Sequence, residues 1–282
     1  GIDIRRFESS RPSIFPLDGL RMASTSSNRM AVILAAGKGT RMKSELPKVA
    51  LPVAGKPMIQ HVLENLESLN LSKIAVVVGY RQEEVRNRID LNRFPQVVFA
   101  EQTEQKGTAH ALLAAKDAIG SGPGSLLVTS GDMPLIQPDT FEKLFLAQEE
   151  QKTAACVLSS VQPDPTGYGR LVRDADGFLE RIVEEKDADD EIRKIKESNA
   201  GTYIFEAPGI FDILTKIDSS NKQNEYYLPD AVQVYRSQGR KIGTLVLDDP
   251  AQTLGANTVD ELTILEERYN RFQSEKQAVS GS

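Results

Sequence analysis

A chain of 282 residues can bury a sizeable core and leaves room for one large domain or two small ones. Its formal net charge of −6 gives no basic average for nucleic acid, and no apolar run approaches the roughly eighteen residues of a membrane span. The single cysteine, Cys156, lies in the apolar run TAACVLSS and reads as a buried strand thiol. Disulfides therefore take no part, and a soluble cytoplasmic protein is expected.

Residues 1–29 mix arginines and serines with Asp3, Glu8 and Asp18 and lack the apolar centre of a secretory signal. They are expected to be a tail, a tag remnant or a mis-assigned start ahead of Met22 or Met30, outside the fold. From Met30 the pattern alternates apolar runs with helical ones. MAVILA (30–35) predicts a first buried strand and KPMIQHVLENLESLN a helix, with KIAVVVGY (73–80) returning as a strand. RQEEVRNRI reads as a helix, QVVFA (96–100) as a strand, TAHALLAAKDAI as one helix and SLLVTS (125–130) as a fourth strand. This alternation predicts a doubly wound sheet. The second half changes character: TAACVLSSV, GRLVRD and FLERIVEE read as strands, the last two joined by the turn DADG. NAGTYIFEA and KIGTLVL are further strands, with helices around GIFDILTKI and YYLPDAVQVYRSQG between them. VDELTILEERYNRFQSEKQ places Leu262, Leu265 and Tyr269 on one face of a terminal amphipathic helix. His61 and His110 fall inside helical runs and read as packed or half-exposed helix residues rather than catalytic ones.

The stretch ILAAGKGTRMKSELPK (33–48) turns directly from a strand into glycines, a hydroxyl and cations. Backbone N–H groups in such a turn converge on phosphate oxygens, and Arg41, Lys43 and Lys48 can neutralise them. A P-loop needs two glycines four residues apart followed by Lys-Ser/Thr; Gly55-Lys56 instead has Ala50 before it and Pro57 after it. A dinucleotide fingerprint needs a third glycine where Met42 stands and an acidic residue at the end of the second strand, and neither is there.

LAAGKGTRMKSELPK resembles the signature of sugar-nucleotide pyrophosphorylases, and LPK…PVAGKPMIQHV is most similar to the bacterial N-acetylglucosamine-1-phosphate uridyltransferase family. QTEQKGTAHAL (102–112), SGDMPLI (130–136), GYGRLVRD (167–174), IVEEKDA (182–188), NAGTYIF (199–205), NEYYLPD (224–230) and GANT (255–258) follow in that family's order, so the likeness spans Met30 to Gln277. It implies a Rossmann-like doubly wound mixed sheet of the nucleotide-diphospho-sugar transferase type, with a smaller β-rich sugar-binding extension. Residues 30–257 would form the nucleotidyltransferase domain, and 258–282 the terminal helix and tail. The implied reaction is Mg²⁺-dependent transfer of a uridylyl group from UTP to N-acetylglucosamine-1-phosphate, which supplies cell-wall precursors.

The same resemblance places Leu34, Ala35, Ala36 and Gly37 on the nucleoside and Gly39 and Thr40 on the triphosphate. Arg41 would meet the leaving phosphates and Lys48 the α-phosphate. Gln102, Gln105, Gly107 and Thr108 would read the uracil, and Ser130, Gly169, Glu184 and Asn199 would line the sugar side. Spacing does not choose between Glu184 and Glu185; the family pattern matches the first. Asp132, ending an apolar strand at a sheet's carboxyl edge, would hold Mg²⁺ with Asn257. Ser130 stands where these enzymes usually carry tyrosine, Ala200 where NTG has its threonine, LPD (228–230) replaces LTD, and VALPV (49–53) replaces a Leu-His pair. No hexapeptide period of an acetyltransferase β-helix exists, so uridyltransferase without acetyltransferase activity is expected. Other nucleotide–sugar pairs, such as dTTP or glucose-1-phosphate, and a non-catalytic sugar-nucleotide sensor are the competing readings. The sequence is silent on oligomeric state.

Overall fold

The computed structural model describes residues 28–39, 44–256 and 258–280. The expected tail therefore lies outside the described residues, apart from Asn28 and Arg29. β1 (Arg29–Leu34) begins one residue earlier than the sequence boundary. Its Arg29 guanidinium pairs with Glu142 at 2.7 Å and lies over the Phe145 ring at 4.4 Å, so it belongs to the fold.

A tight turn at Lys48–Ala50 leads into the short hairpin β2 (Pro52–Val53) and β3 (Lys56–Pro57), then α1 (Met58–Leu66). β4 (Lys73–Val78), α2 (Gln82–Arg86) and β5 (Val97–Glu101) follow, as the apolar periodicity predicts. TAHALLAAKDAI divides into α3 (Thr108–Ala114) and α4 (Lys116–Ile119) instead of forming one helix. The turn tightens at Ala115, whose N–H donates to Leu112 O at 3.0 Å and whose ψ is −3°. β6 (Gly124–Ser130) precedes α5 (Pro138–Gln151), a helix whose apolar positions are diluted by charged and amide side chains.

The second half contributes β7 (Ala155–Val161), the hairpin β8 (Arg170–Arg173) and β9 (Leu179–Val183), α6 (Asp190–Arg193), β10 (Glu197–Ala207), α7 (Gly209–Leu214), α8 (Ala231–Ser237), β11 (Ile242–Leu247) and α9 (Val259–Ser280). Among the described residues the main sheet has nine strands, with the path β11-β7-β10-β6-β1-β4-β5 and the β8–β9 hairpin branching from β10. β10 runs antiparallel to both β6 and β7, whereas β1, β4, β5 and β6 are mutually parallel. This is the mixed, doubly wound sheet the sequence implied.

Both faces of the sheet are covered, so its strands alternate between two apolar clusters rather than between core and water. On β1, Met30 and Val32 pack toward Leu112, Ile210, Phe211 and Tyr235, while Ala31 and Ile33 pack toward Ile59, Leu63, Phe141 and Leu144. A smaller third cluster joins Val53, Met58 and Leu135 to α9 through Leu265, Tyr269 and Phe272, bearing out the amphipathic face. His61 is structural there: its Nε2 lies 2.8 Å from Val53 O and its ring 4.4 Å from that of Tyr269. Cys156 is fully buried in β7, and burial pushes its thiol up to about 12, as expected of an inert strand cysteine. No helix among the described residues is long and apolar enough to cross a membrane.

Candidate active site

The parallel strands β1, β4 and β6 end at one edge of the sheet, where open α/β sheets bind ligands. Leu34 and Ser130 are register partners at that edge, and Gly131 N donates to Leu34 O at 2.9 Å. Ala35 N donates to Val77 O at 2.9 Å, and the Ala36 carbonyl accepts from Tyr80 N and from the Gln105 side-chain amide. The start of the glycine-rich loop is thus pinned between neighbouring strands. A side chain at Gly37 would meet nothing within 4 Å, whereas at Gly39, with φ +60°, it would come within 2.8 Å of Lys48 Cβ. Glycine is required at 39 by both conformation and space, and that close approach brings Lys48 back onto the loop. Thr40 and Arg41 lie outside the described residues.

Lys48 Nζ pairs with Asp132 Oδ2 at 2.5 Å, and Ser130 Oγ donates to Asp132 Oδ1 at 2.5 Å. Burial by itself would raise the Asp132 carboxyl, but the Lys48 ammonium and the Ser130 hydroxyl outweigh it and hold the group below its usual range. Ser130, expected on the sugar side, has its hydroxyl on this carboxylate. Asn257 lies outside the described residues, yet the turn leading to it is close: a Cβ at Gly255 would lie 3.7 Å from Asp132 O and 3.9 Å from Lys48 Nζ.

On one flank, Gln102 is buried and its amide donates to Gly107 O at 3.1 Å while facing His110 Nδ1 at 2.9 Å. Gly107, at φ +109°, leaves no room for a side chain, since a Cβ there would meet Tyr226 O at 2.5 Å. Thr108 Oγ1 accepts from Leu228 N at 2.9 Å, so the Gln102–Thr108 turn is clamped by the Tyr226–Leu228 segment. That clamp, made by backbone from NEYYLPD, carried no spacing signal.

On the other flank, Asn199 N donates to Gly169 O at 2.8 Å, and the Asn199 amide meets Tyr203 Oη at 2.6 Å and Gly201 N at 3.0 Å. A Cβ at Gly169 would lie 3.0 Å from Glu184 Oε1, and one at Gly201 would lie 3.9 Å from the sulfur of Met133, beside Asp132. Gly169, Glu184 and Asn199 are therefore one group of neighbours. Glu185 is engaged, pairing with Arg170 at 2.8 Å and Arg193 at 3.4 Å. The Glu184 carboxylate has no hydrogen bond or ion pair among the described residues, although its backbone carbonyl accepts from Asp187 N and Ala188 N. Burial pushes its carboxyl up to about 7, reinforced by Asp230 and Asp187 and opposed by Arg170. Because the folded state holds this proton to a higher pH than the unfolded chain, Glu184 costs stability as pH rises through that range and continues to above it. Glu184→Gln is expected to raise the unfolding free energy measured in urea by roughly 2 kcal/mol at pH 8 and to leave it near wild type at pH 4.5. Equal shifts at both pH values would contradict the assignment.

The MobA-like NTP transferase domain family matches residues 31–198, and the chain belongs to that family. It is a nucleotidyltransferase. Over 231 residues it is 44% identical to "Bifunctional protein GlmU" of Lactococcus lactis subsp. cremoris, covering 82% of this chain and 49% of that protein. The proteins of the same description from Bacillus cytotoxicus and Bacillus mycoides are 46% identical over 231 residues and 44% identical over 249. They match 82% and 87% of this chain and 50% and 53% of their own lengths, so the chain spans about half of these curated relatives. Among solved structures, a UDP-glucose pyrophosphorylase complexed with UDP-glucose has a TM-score of 0.69, covering 86% of this chain and 98% of its own at 20% identity. That likeness shows the shared fold, and the resemblance read from motif order is borne out.

Proposed function

We propose that this nucleotidyltransferase uses UTP and N-acetylglucosamine-1-phosphate, giving UDP-N-acetylglucosamine and pyrophosphate in the cytoplasm. The observation that carries the reading is the Lys48–Asp132 pair, set at the strand ends between an amide-bearing turn on one flank and the Gly169, Glu184, Asn199 group on the other. In such a reaction a phosphate oxygen of the sugar phosphate bonds to the α-phosphorus and the bond to the bridging oxygen of pyrophosphate breaks. No proton need be taken by a nucleophilic side chain, so the protein's task is to align two polyanions and neutralise them. Lys48 meets that need at the α-phosphate, and Gly37 and Gly39 leave backbone free to approach the phosphates. Gln102 and Gln105 hold the turn that would face the base, and Glu184 and Asn199 offer hydrogen bonds to sugar hydroxyls and the N-acetyl group.

The donor set at Asp132 suits a hard cation. It presents a carboxylate beside a hydroxyl, next to the turn that leads to Asn257, and among the described residues no group of three or more His, Cys, Asp or Glu side chains forms a fuller cage. Mg²⁺ commonly takes few protein ligands and completes its shell with water and phosphate oxygens. Bound there by Asp132 and Asn257, it would supply further charge neutralisation at the reacting phosphates.

Pyrophosphate release measured over a grid of nucleoside triphosphates and sugar-1-phosphates with Mg²⁺ tests the reading. Turnover is expected to be greatest with UTP and N-acetylglucosamine-1-phosphate. Preference for glucose-1-phosphate or dTTP would reassign the substrates, and no turnover with any pair would overturn the reading in favour of a sugar-nucleotide sensor.

A further inference from the structure

Arg170 is 2% exposed, the largest fully buried side chain of the protein among the described residues. Its Nη2 pairs with Glu185 Oε2 at 2.8 Å, its Nη1 donates to Tyr168 O, and its Nε is buried with no hydrogen-bond partner. Glu185 Oε2 also accepts from Gly167 N at 3.3 Å, and its Oε1 lies 3.4 Å from Arg193 Nε. Together these contacts tie the 167–170 turn to the residues that follow β9.

Burying a guanidinium with one N–H unsatisfied costs free energy, and buried ion pairs return little net stability. Their best-attested use is to fix register. The hairpin's own tie to the sheet is narrow: β8 joins β10 through the single partner pair Ser198 and Arg170, and the β8–β9 ladder, four partner pairs long, is irregular between Val172 and Arg173. The strand ends at Val183 and a turn follows at once, with Asp187 N and Ala188 N donating to Glu184 O at 2.9 and 3.0 Å, so which of the two adjacent carboxylates faces Gly169 depends on what holds its neighbour.

We propose that Arg170 is a positioning residue for the sugar side: by holding Glu185, it presents Glu184 to Gly169 and Asn199. The inference rests on the sugar-binding reading of Glu184 given above. It makes the Arg170–Glu185 pair a determinant of affinity for the sugar phosphate, while the triphosphate half of the site stands on other strands.

Steady-state pyrophosphate release with UTP and N-acetylglucosamine-1-phosphate, in Glu185→Gln, Arg170→Gln and Arg170→Lys, tests it. In Glu185→Gln and Arg170→Gln the KM for the sugar phosphate is expected to rise about 10-fold, as for one misdirected hydrogen-bonding group, with the KM for UTP within about twofold. Arg170→Lys, which keeps the charge, should recover part of that loss. Glu180→Gln, the same kind of change on an exposed side chain of β9, should behave as wild type. Circular dichroism establishes which variants fold; should the Arg170 variants fail, Glu185→Gln decides, since its side chain is 27% exposed. An unchanged sugar-phosphate KM in folded Glu185→Gln, or equal rises in both KM values, overturns the proposal alone. Wild-type protein inert with every pair overturns the functional reading and the proposal together.

Discussion

Lys48→Ala is expected to lower kcat by on the order of 10² to 10³, the loss that follows removal of one preorganised charge from a phosphoryl-transfer site. The side chain is 14% exposed, and its ammonium lies 2.5 Å from Asp132, so it works where water screens it poorly. The same change should lower stability. Burial raises the Asp132 carboxyl, and Lys48 is the largest of the influences that hold it below its ordinary range, ahead of Ser130 and a backbone hydrogen bond. In wild type the depressed carboxyl contributes stability at neutral pH that is lost as pH falls through the native pKa; the variant loses that contribution at neutral pH, about 1 to 3 kcal/mol. Lys48→Arg separates the two effects. A planar guanidinium can restore the charge opposite Asp132 but not the compact point charge of the ammonium at the α-phosphate. Chemical denaturation should then show recovered stability while single-turnover rates stay low. A kcat for Lys48→Ala within tenfold of wild type would falsify the α-phosphate role.

The strands were legible because each core strand is buried on both faces, which leaves near-continuous apolar runs such as KIAVVV and SLLVTS. Their order was not. Nothing in NAGTYIFEA says that it enters antiparallel between β6 and β7, because pairing direction depends on where the connections lead rather than on side-chain pattern. α5 shows a different loss. Phe141, Leu144, Phe145 and Gln148 line its buried face at helical spacing behind Pro138, but the intervening acids, lysine and glutamines dilute the signal.

The candidate site divides in the same way. Motif order named Lys48, Asp132, Glu184 and Asn199, yet it could not show that Lys48 and Asp132 touch, since that contact needs β1 and β6 adjacent in the sheet. Spacing alone did not separate Glu184 from Glu185; only the family pattern did. The distinction lies in their partners, and Arg170 reaches Glu185 only once the β8–β9 hairpin has closed. The letters GYGR held that residue in plain view; what was missing was its burial.

Asp132→Asn should be the most damaging single change, lowering kcat by on the order of 10³ or more, because it removes the carboxylate that would hold the divalent cation while keeping the side chain's volume. The half-saturating Mg²⁺ concentration should rise at least tenfold on the same reasoning, and calorimetry with Mn²⁺ and UTP should show weakened cation uptake independently of turnover. Stability follows another rule. Each single variant leaves one charge of the Lys48–Asp132 pair facing a neutral partner, whereas Lys48→Ala combined with Asp132→Asn removes both charges. The double variant is therefore expected to be more stable than the sum of the two losses predicts, yet as inactive as Asp132→Asn alone. A cycle that is additive in stability would show the ion pair to be incidental to the fold. Restored turnover in the double variant would show that neither group is needed for turnover and that the Asp132→Asn loss came from the unpaired Lys48 ammonium, and the cation's place in the site would have to be sought elsewhere.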